Sequence, residues 1–89
     1  ILGVVENMSY LDMPDGTRRC IFGEGGGEQL AQIAGTPLLA NIPIDENVRI
    51  GGDQGDPVVV AEPDSPAAQV MNALAKSVAA RMSMEIRKE

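Results

Sequence analysis

Few side chains in this 89-residue chain could carry chemistry, and their placement matters more than their number. There is no histidine, so a Ser-His-Asp or Cys-His nucleophile system cannot be assembled within the chain. Cys20 is the only cysteine, which excludes an internal disulfide and any CxxC metal site. Alone it could ligate a metal or a cluster only by sharing it with another chain. A reactive thiol needs an electropositive, accessible setting. Without one, Cys20 reads as an inert loop thiol, and the adjacent Arg18 and Arg19 are the one feature that argues otherwise. As a pair those arginines read first as solvated loop residues, because exposed charges interact weakly. Asp12, Asp15, Asp53, Asp56 and Asp64 read as turn and loop solvation.

What remains is Asn7, Pro43 and Asp45. Asn7 is a polar residue where an apolar run emerges. It serves either as a turn or cap residue or, through an amide that both donates and accepts, as a contact to the edge of a ligand ring. Pro43 ends a second apolar run, and Asp45 offers an N-cap to the residues after it. In open α/β sheets ligands bind at the carboxyl ends of strands, which is where all three residues fall.

The elements that position them follow from local pattern. Residues 1–6 form a continuous apolar run without alternation, the signature of a strand, placed over 1–7, that is covered on both faces in a parallel sheet. Residues 10–20 read as a loop with a turn at Pro14-Asp15-Gly16. Phe22-Gly23-Glu24-Gly25-Gly26-Gly27 leads into a helix over 26–34, with an apolar side of Leu30, Ile33 and Ala34 and a C′ glycine at Gly35. A glycine run before a helix could cradle a phosphate. A P-loop, however, needs Gly-Lys-Ser/Thr at a fixed spacing. The only Lys-Ser pair, Lys76-Ser77, lies in a helical pattern with Ala75 in the glycine's place. The glycines therefore read as allowing close helix–strand approach.

A second strand spans 37–42 and is stopped by Pro43, which has no N–H for a ladder. A short helix spans 45–51, with Val48 and Ile50 turned inward, and Gly51-Gly52-Asp53-Gln54-Gly55-Asp56 ends it in a loose turn. The β-branched run 57–61 reads as an edge strand or an extended crossover segment, and 62–64 as a linker. Ser65 at the N-cap and Pro66 at N1 open a long helix over 65–83. Its stripe is Ala67, Met71, Leu74, Val78 and Met82 with Val70 beside it, the methionines acting as core filler. Lys76 and Arg81 lie on the other side, and Arg87 and Lys88 follow. The fold class is α/β, a parallel-sheet, Rossmann-like half.

A chain of 89 residues makes one domain at most and buries only roughly two-thirds of its unfolded surface. Its 44% apolar content is enough for a core and is almost wholly aliphatic, with Tyr10 and Phe22 the only aromatics. A net charge of −6 gives no support to nucleic-acid binding or to an anionic membrane surface. No apolar run approaches the ~20 residues that span a bilayer. A single cysteine fits a cytoplasmic, reducing setting. The chain opens directly on a strand, which predicts the C-terminal portion of a longer protein. The charged end over 84–89 reads as a natural terminus.

Several blocks occur in a telling order. They are Gly3-Val4-Val5-Glu6-Asn7-Met8-Ser9-Tyr10, Ile21-Phe22-Gly23 with Gly25-Gly26-Gly27, and Pro37-Leu38-Leu39 with Ile42-Pro43-Ile44-Asp45 and Arg49. Gly52-Asp53, Gly55, Pro57-Val58-Val59-Val60 and Pro63-Asp64-Ser65 complete the series. Over residues 1 to about 80 this resembles the C-terminal part of the Mrp/ApbC family of P-loop ATPases, ParA/MinD relatives that carry iron–sulfur clusters. The resemblance implies that residues 1–89 are the C-terminal portion of one P-loop ATPase domain, whose missing N-terminal half holds the phosphate loop and the Mg2+ ligand. It implies ATP as the cofactor, with Asn7 reading the adenine and the segment of Pro43 and Asp45 packing on the other side of the base. It also implies a homodimer in the full-length protein and iron–sulfur client proteins as partners. Many members carry a CxxC pair in the loop after the Asn-Met-Ser-Tyr block. Here that pair is absent and Cys20 is out of place, so the usual cluster ligands are missing. A nucleotide-dependent dimerisation or regulatory domain of the ParA/MinD type, without a cluster, is the alternative. A third reading is a small structural module that stands alone.

Overall fold

The computed structural model describes the backbone of residues 1–88 and the side chains as far as Ile86. Arg87 and Lys88, expected as cations near the helix end, lie with Glu89 outside the described side chains. Strand β1 (Val4–Glu6) is followed by a short hairpin, β2 (Leu11–Asp12) and β3 (Arg18–Arg19). Helix α1 (Gly26–Ala34), strand β4 (Leu38–Asn41) and helices α2 (Glu46–Gln54), α3 (Val58–Ala61) and α4 (Pro66–Lys88) complete the order. β1 and β4 pair in parallel, with Val5 opposite Ala40 and Glu6 opposite Asn41. The mixed α/β fold with a parallel pair is as expected. The strands are shorter than 1–7 and 37–42, and the register slips between Val4 and Val5.

Helix α1 packs against β1, and α4 packs against β4 and α3. The buried side of α1 is Gly27 and Ala31. The expected side of Leu30, Ile33 and Ala34 is exposed instead, Ile33 by 84%. The cause is close approach: a Cβ on Gly27 would sit 2.9 Å from Glu6 Cβ, so the helix lies on the strand by its smallest residues. Gly35 ends α1 as expected.

Four further expectations are corrected. Residues 10–20 are not an irregular loop: Leu11 pairs with Arg19 and Asp12 with Arg18, antiparallel. Asp15 fixes the tip by accepting from the Thr17 N–H (2.9 Å) and hydroxyl (2.6 Å). Arg18 braces the stem, donating to Asp12 (2.9 Å) and lying 3.7 Å over the centre of the Tyr10 ring, so it is not merely solvated. Helix α2 runs through Gly51 and Gly52 to Gln54, where a loose turn was expected, and Gly55 closes it. Residues 58–61 form a helical turn, not a strand. Val58 is 5% exposed between α2 and α4, and packing overrides the β preference of a Val-Val-Val run.

Helix α4 outruns its predicted end at residue 83. Ser65 caps it, its hydroxyl accepting from the Ala68 N–H at 3.2 Å. Ala67 and Ala68 are fully buried, and Met71, Leu74 and Val78 are half-buried, but Met82, expected in the stripe, is exposed. Arg81 was placed on the solvent side. It is half-buried, and its Nε–H donates to the Leu2 carbonyl at 2.7 Å, tying α4 to the chain just before β1.

The core is thin. Ala31, Ile42, Pro43, Val58, Ala67 and Ala68 are the buried apolar side chains among those described, while Ile1, Phe22, Leu30, Ile33 and Val60 are largely exposed. The radius of gyration is 14.7 Å, against about 12 Å for a compact domain of this length.

Candidate functional site

β1 and β4 end side by side, and the residues just past them form the candidate site. Backbone bonds fasten the two exits together. The Ile42 N–H donates to the Glu6 carbonyl (2.8 Å), the Ser9 N–H to the Ile42 carbonyl (2.9 Å), and the Ile44 N–H to the Tyr10 carbonyl (2.7 Å). Beside this seam lies a cavity of about 450 Å³. It is walled by Met8, Leu11, Ile42, Pro43, Ile44 and Val48, with Asn7, Asp45, Glu46 and Arg49 supplying its polar groups. Asn7, Pro43 and Asp45, singled out separately in the sequence, are thus brought into one cavity.

Each is held for a local reason. Asn7 is exposed, and its Oδ1 accepts from the Met8 N–H at 2.8 Å. Met8 has φ 52°, a left-handed value that a non-glycine residue adopts only when its surroundings hold it there. Asn7 is therefore a turn residue, and its NH₂ has no hydrogen-bond partner among the described residues. Pro43 is buried, and its apolar ring lines the cavity. Asp45 caps α2, accepting from the Asn47 N–H at 2.9 Å, which leaves its second oxygen available. Arg49 is taken up by Glu46 (3.3 Å) and Asp53 (3.2 Å) on its own helix. Replacing the cap by Asp45→Ala should lower stability by about 1 kcal/mol. A urea midpoint equal to that of the parent would refute the capping role.

A second, smaller cavity of about 240 Å³ lies on the other side of the strand ends, bounded by Glu6, Ser9, Tyr10, Arg18, Cys20 and Glu24 among others. Sequence reasoning missed Glu6 and Ser9. The available signal was a carboxylate closing an otherwise apolar strand. Glu6 Oε1 accepts from the Gly27 N–H at 3.3 Å, and Oε2 from the Ser9 hydroxyl at 2.9 Å. Gly25, at the N-cap of α1, has no side chain to offer, so Glu6 reaches over from the strand and meets the positive end of the helix. Cys20 is half-buried there. Burial, then the charge and hydrogen bond of Glu24, push its thiol above the usual range, with Arg18 opposing weakly. Since the thiolate is the nucleophile, Cys20 should alkylate more slowly than a free cysteine peptide at pH 8. Glu24→Gln should speed the reaction. A rate above that of the peptide would overturn this.

Residues 1–79 match the ParA family, described as the NUBPL iron-transfer P-loop NTPases. The chain belongs to that family. The resemblance to the Mrp/ApbC ATPases is borne out by relatives along nearly its whole length. An iron-sulfur cluster carrier protein of Synechocystis is 44% identical over 87 residues, covering 94% of this chain and 24% of its own length. Those of Deinococcus radiodurans (46% over 85 residues, 94% and 24%) and Pyrococcus horikoshii (50% over 78 residues, 86% and 26%) are similar. The chain spans about a quarter of the length of these relatives.

For a member of this family the two groups to test are a nucleotide and a cluster. A planar base fits the larger cavity: apolar walls, a buried proline ring and an amide with free donors are the surroundings such a ring needs. Phosphates do not fit the start of α1, which already holds the Glu6 carboxylate. A cluster would need ligands from outside this chain: among the described residues no three histidine, cysteine, aspartate or glutamate side chains come together as ligands. No described helix is long and apolar enough to cross a membrane.

Proposed function

We propose that this chain supplies the base-binding edge of the ATP site of an iron–sulfur cluster carrier ATPase. The observation that carries the reading is the meeting of Asn7, Pro43 and Asp45 in one cavity at the ends of two parallel strands. Asn7 donates through its NH₂ to a ring nitrogen of adenine, and the Pro43–Asp45 segment packs on the base's other side. The phosphates and Mg2+ are held by a part of the domain outside residues 1–89. The full-length protein acts on iron–sulfur client proteins, a reading that its relatives' name as cluster carriers supports, and it does so as a homodimer.

Calorimetry on the longest reading frame containing this sequence tests the reading. ATP should bind, and Asn7→Ala should weaken binding about tenfold, the equivalent of ~1.4 kcal/mol. Absence of ATP binding by the parent, or parent affinity in Asn7→Ala, would sink it.

A second reading, a ParA/MinD-type regulatory domain in which nucleotide governs dimerisation, is favoured by the absence of a CxxC pair and by the lack of grouped ligands among the described residues. Iron and sulfide measured on anaerobically purified full-length protein separate the two. Stoichiometric cluster supports the carrier, and its absence beside ATP-dependent dimerisation supports the regulator.

A further inference from the structure

We infer that Glu6 is a positioning residue for Asn7, acting through Ser9 and the start of α1; the inference rests on the base-binding reading above. Asn7 and Met8 form a two-residue turn whose flanks are both tied down. The Glu6 carbonyl and the Ser9 N–H bond the same residue, Ile42, at 2.8 and 2.9 Å. The side chains of those flanks close the turn a second time, Ser9 Oγ donating to Glu6 Oε2 at 2.9 Å. The other carboxylate oxygen is anchored outside the turn, at the Gly27 N–H. Ser9 Oγ also lies 3.3 Å from Asn41 Oδ1, the last residue of β4. One carboxylate thus joins the end of β1 to the first turn of α1 around the two residues that present the amide, while Ser9 lies against the end of β4.

The consequence is geometric. Met8 sits at φ 52°, and its N–H sets the orientation of the Asn7 amide at 2.8 Å. A left-handed valine-sized or larger residue is held only by surroundings that over-determine it. Releasing the Glu6–Ser9 bond lets the turn relax and misaims the amide, although neither side chain touches the base. The small clearance at Gly27, where a Cβ would meet Glu6 Cβ at 2.9 Å, keeps the carboxylate against the helix start.

The test is a double-mutant cycle on the longest reading frame containing this sequence, read as ATP affinity and as the ratio of ATP to GTP affinity. Ser9→Ala breaks the closure while leaving the Glu6–Gly27 bond, so it serves if Glu6→Ala fails to fold. Each should weaken ATP binding about threefold to tenfold and lower the ATP:GTP ratio. Neither should weaken binding further once Asn7 is alanine, because residues acting through one contact are not additive. A purely structural role would weaken both nucleotides equally and add to Asn7→Ala, and either result overturns the inference while sparing the base site. Parent affinity in Asn7→Ala would remove the base site and this inference together.

Discussion

Alanine at Gly51 and alanine at Gly52 should move stability in opposite directions, though the two are neighbours in one helix. Both lie inside α2, where exchanging glycine for alanine ordinarily gains about 1 kcal/mol of helix propensity. At Gly52 nothing lies within 4 Å of the new methyl, so Gly52→Ala should stabilise by roughly that amount. Gly51 is buried, and its Cβ would run into the backbone carbonyl oxygen of Asp56, which cannot swing aside as a side chain can. The same Asp56 donates its N–H to the Gly51 carbonyl at 2.8 Å, so the turn is folded tightly back on the helix. Gly51→Ala should cost about 2 kcal/mol net, and Gly51→Val more, by prising α3 from α2. In a protein of 150–250 residues that is a fall in Tm of about 4–8 °C, and less in a longer one. Equal melting temperatures for the two alanine variants would show that the approach at Gly51 relaxes freely.

The second large effect is expected at Gly27. Its Cβ would meet Glu6 Cβ at 2.9 Å and Leu38 Cδ1 at 3.3 Å, so it presses on both strands at once. Gly27→Val must lift α1 from β1 and break the Gly27–Glu6 bond, at a cost of about 2–3 kcal/mol. At Gly26 the nearest atom to a Cβ is Glu6 Oε1, at 3.9 Å, so Gly26→Ala is the tolerated control. Because Glu6 borders the Asn7 turn, Gly27→Val should also weaken ATP binding in the longest reading frame, whereas Gly51→Val should not. Chemical denaturation and calorimetry on the same two variants check both statements. Undiminished stability in Gly27→Val would mean that the helix rides further from the strand than the geometry places it.

These expectations bear on what kind of surface the chain presents. Leu30 and Ile33 on α1, Phe22 before it and Val60 on α3 leave apolar area in water that a self-sufficient domain of this size would cover. The open edge of β1 adds unpaired backbone groups, since β4 is its only partner strand among the described residues. The chain covers about a quarter of its relatives' length.

The sequence by itself determined the elements whose signals are local. Ser65-Pro66 started α4, Asp45 capped α2, Gly35 closed α1, and Pro43 ended a strand, because caps and breakers act through bonds within a few residues. It also determined the family, because the spacing of the blocks from Gly3 to Ser65 survives without any contact being known. It even placed Asn7, Pro43 and Asp45 at strand ends, and parallel pairing did the rest. Only the tertiary structure decided the outcomes that depend on what lies across the gap. Val58-Val59-Val60 became helical because α2 and α4 enclose Val58. α1 turned Gly27 and Ala31 inward, and Leu30 and Ile33 outward, because Glu6 sits beneath it. Arg81 faced the strand because the Leu2 carbonyl was free to accept. Glu6 acquired its role because a glycine-started helix brings its N–H groups to a carboxylate 21 residues earlier. No local pattern records such a meeting, since a hydrogen bond between distant residues leaves no periodicity in the chain.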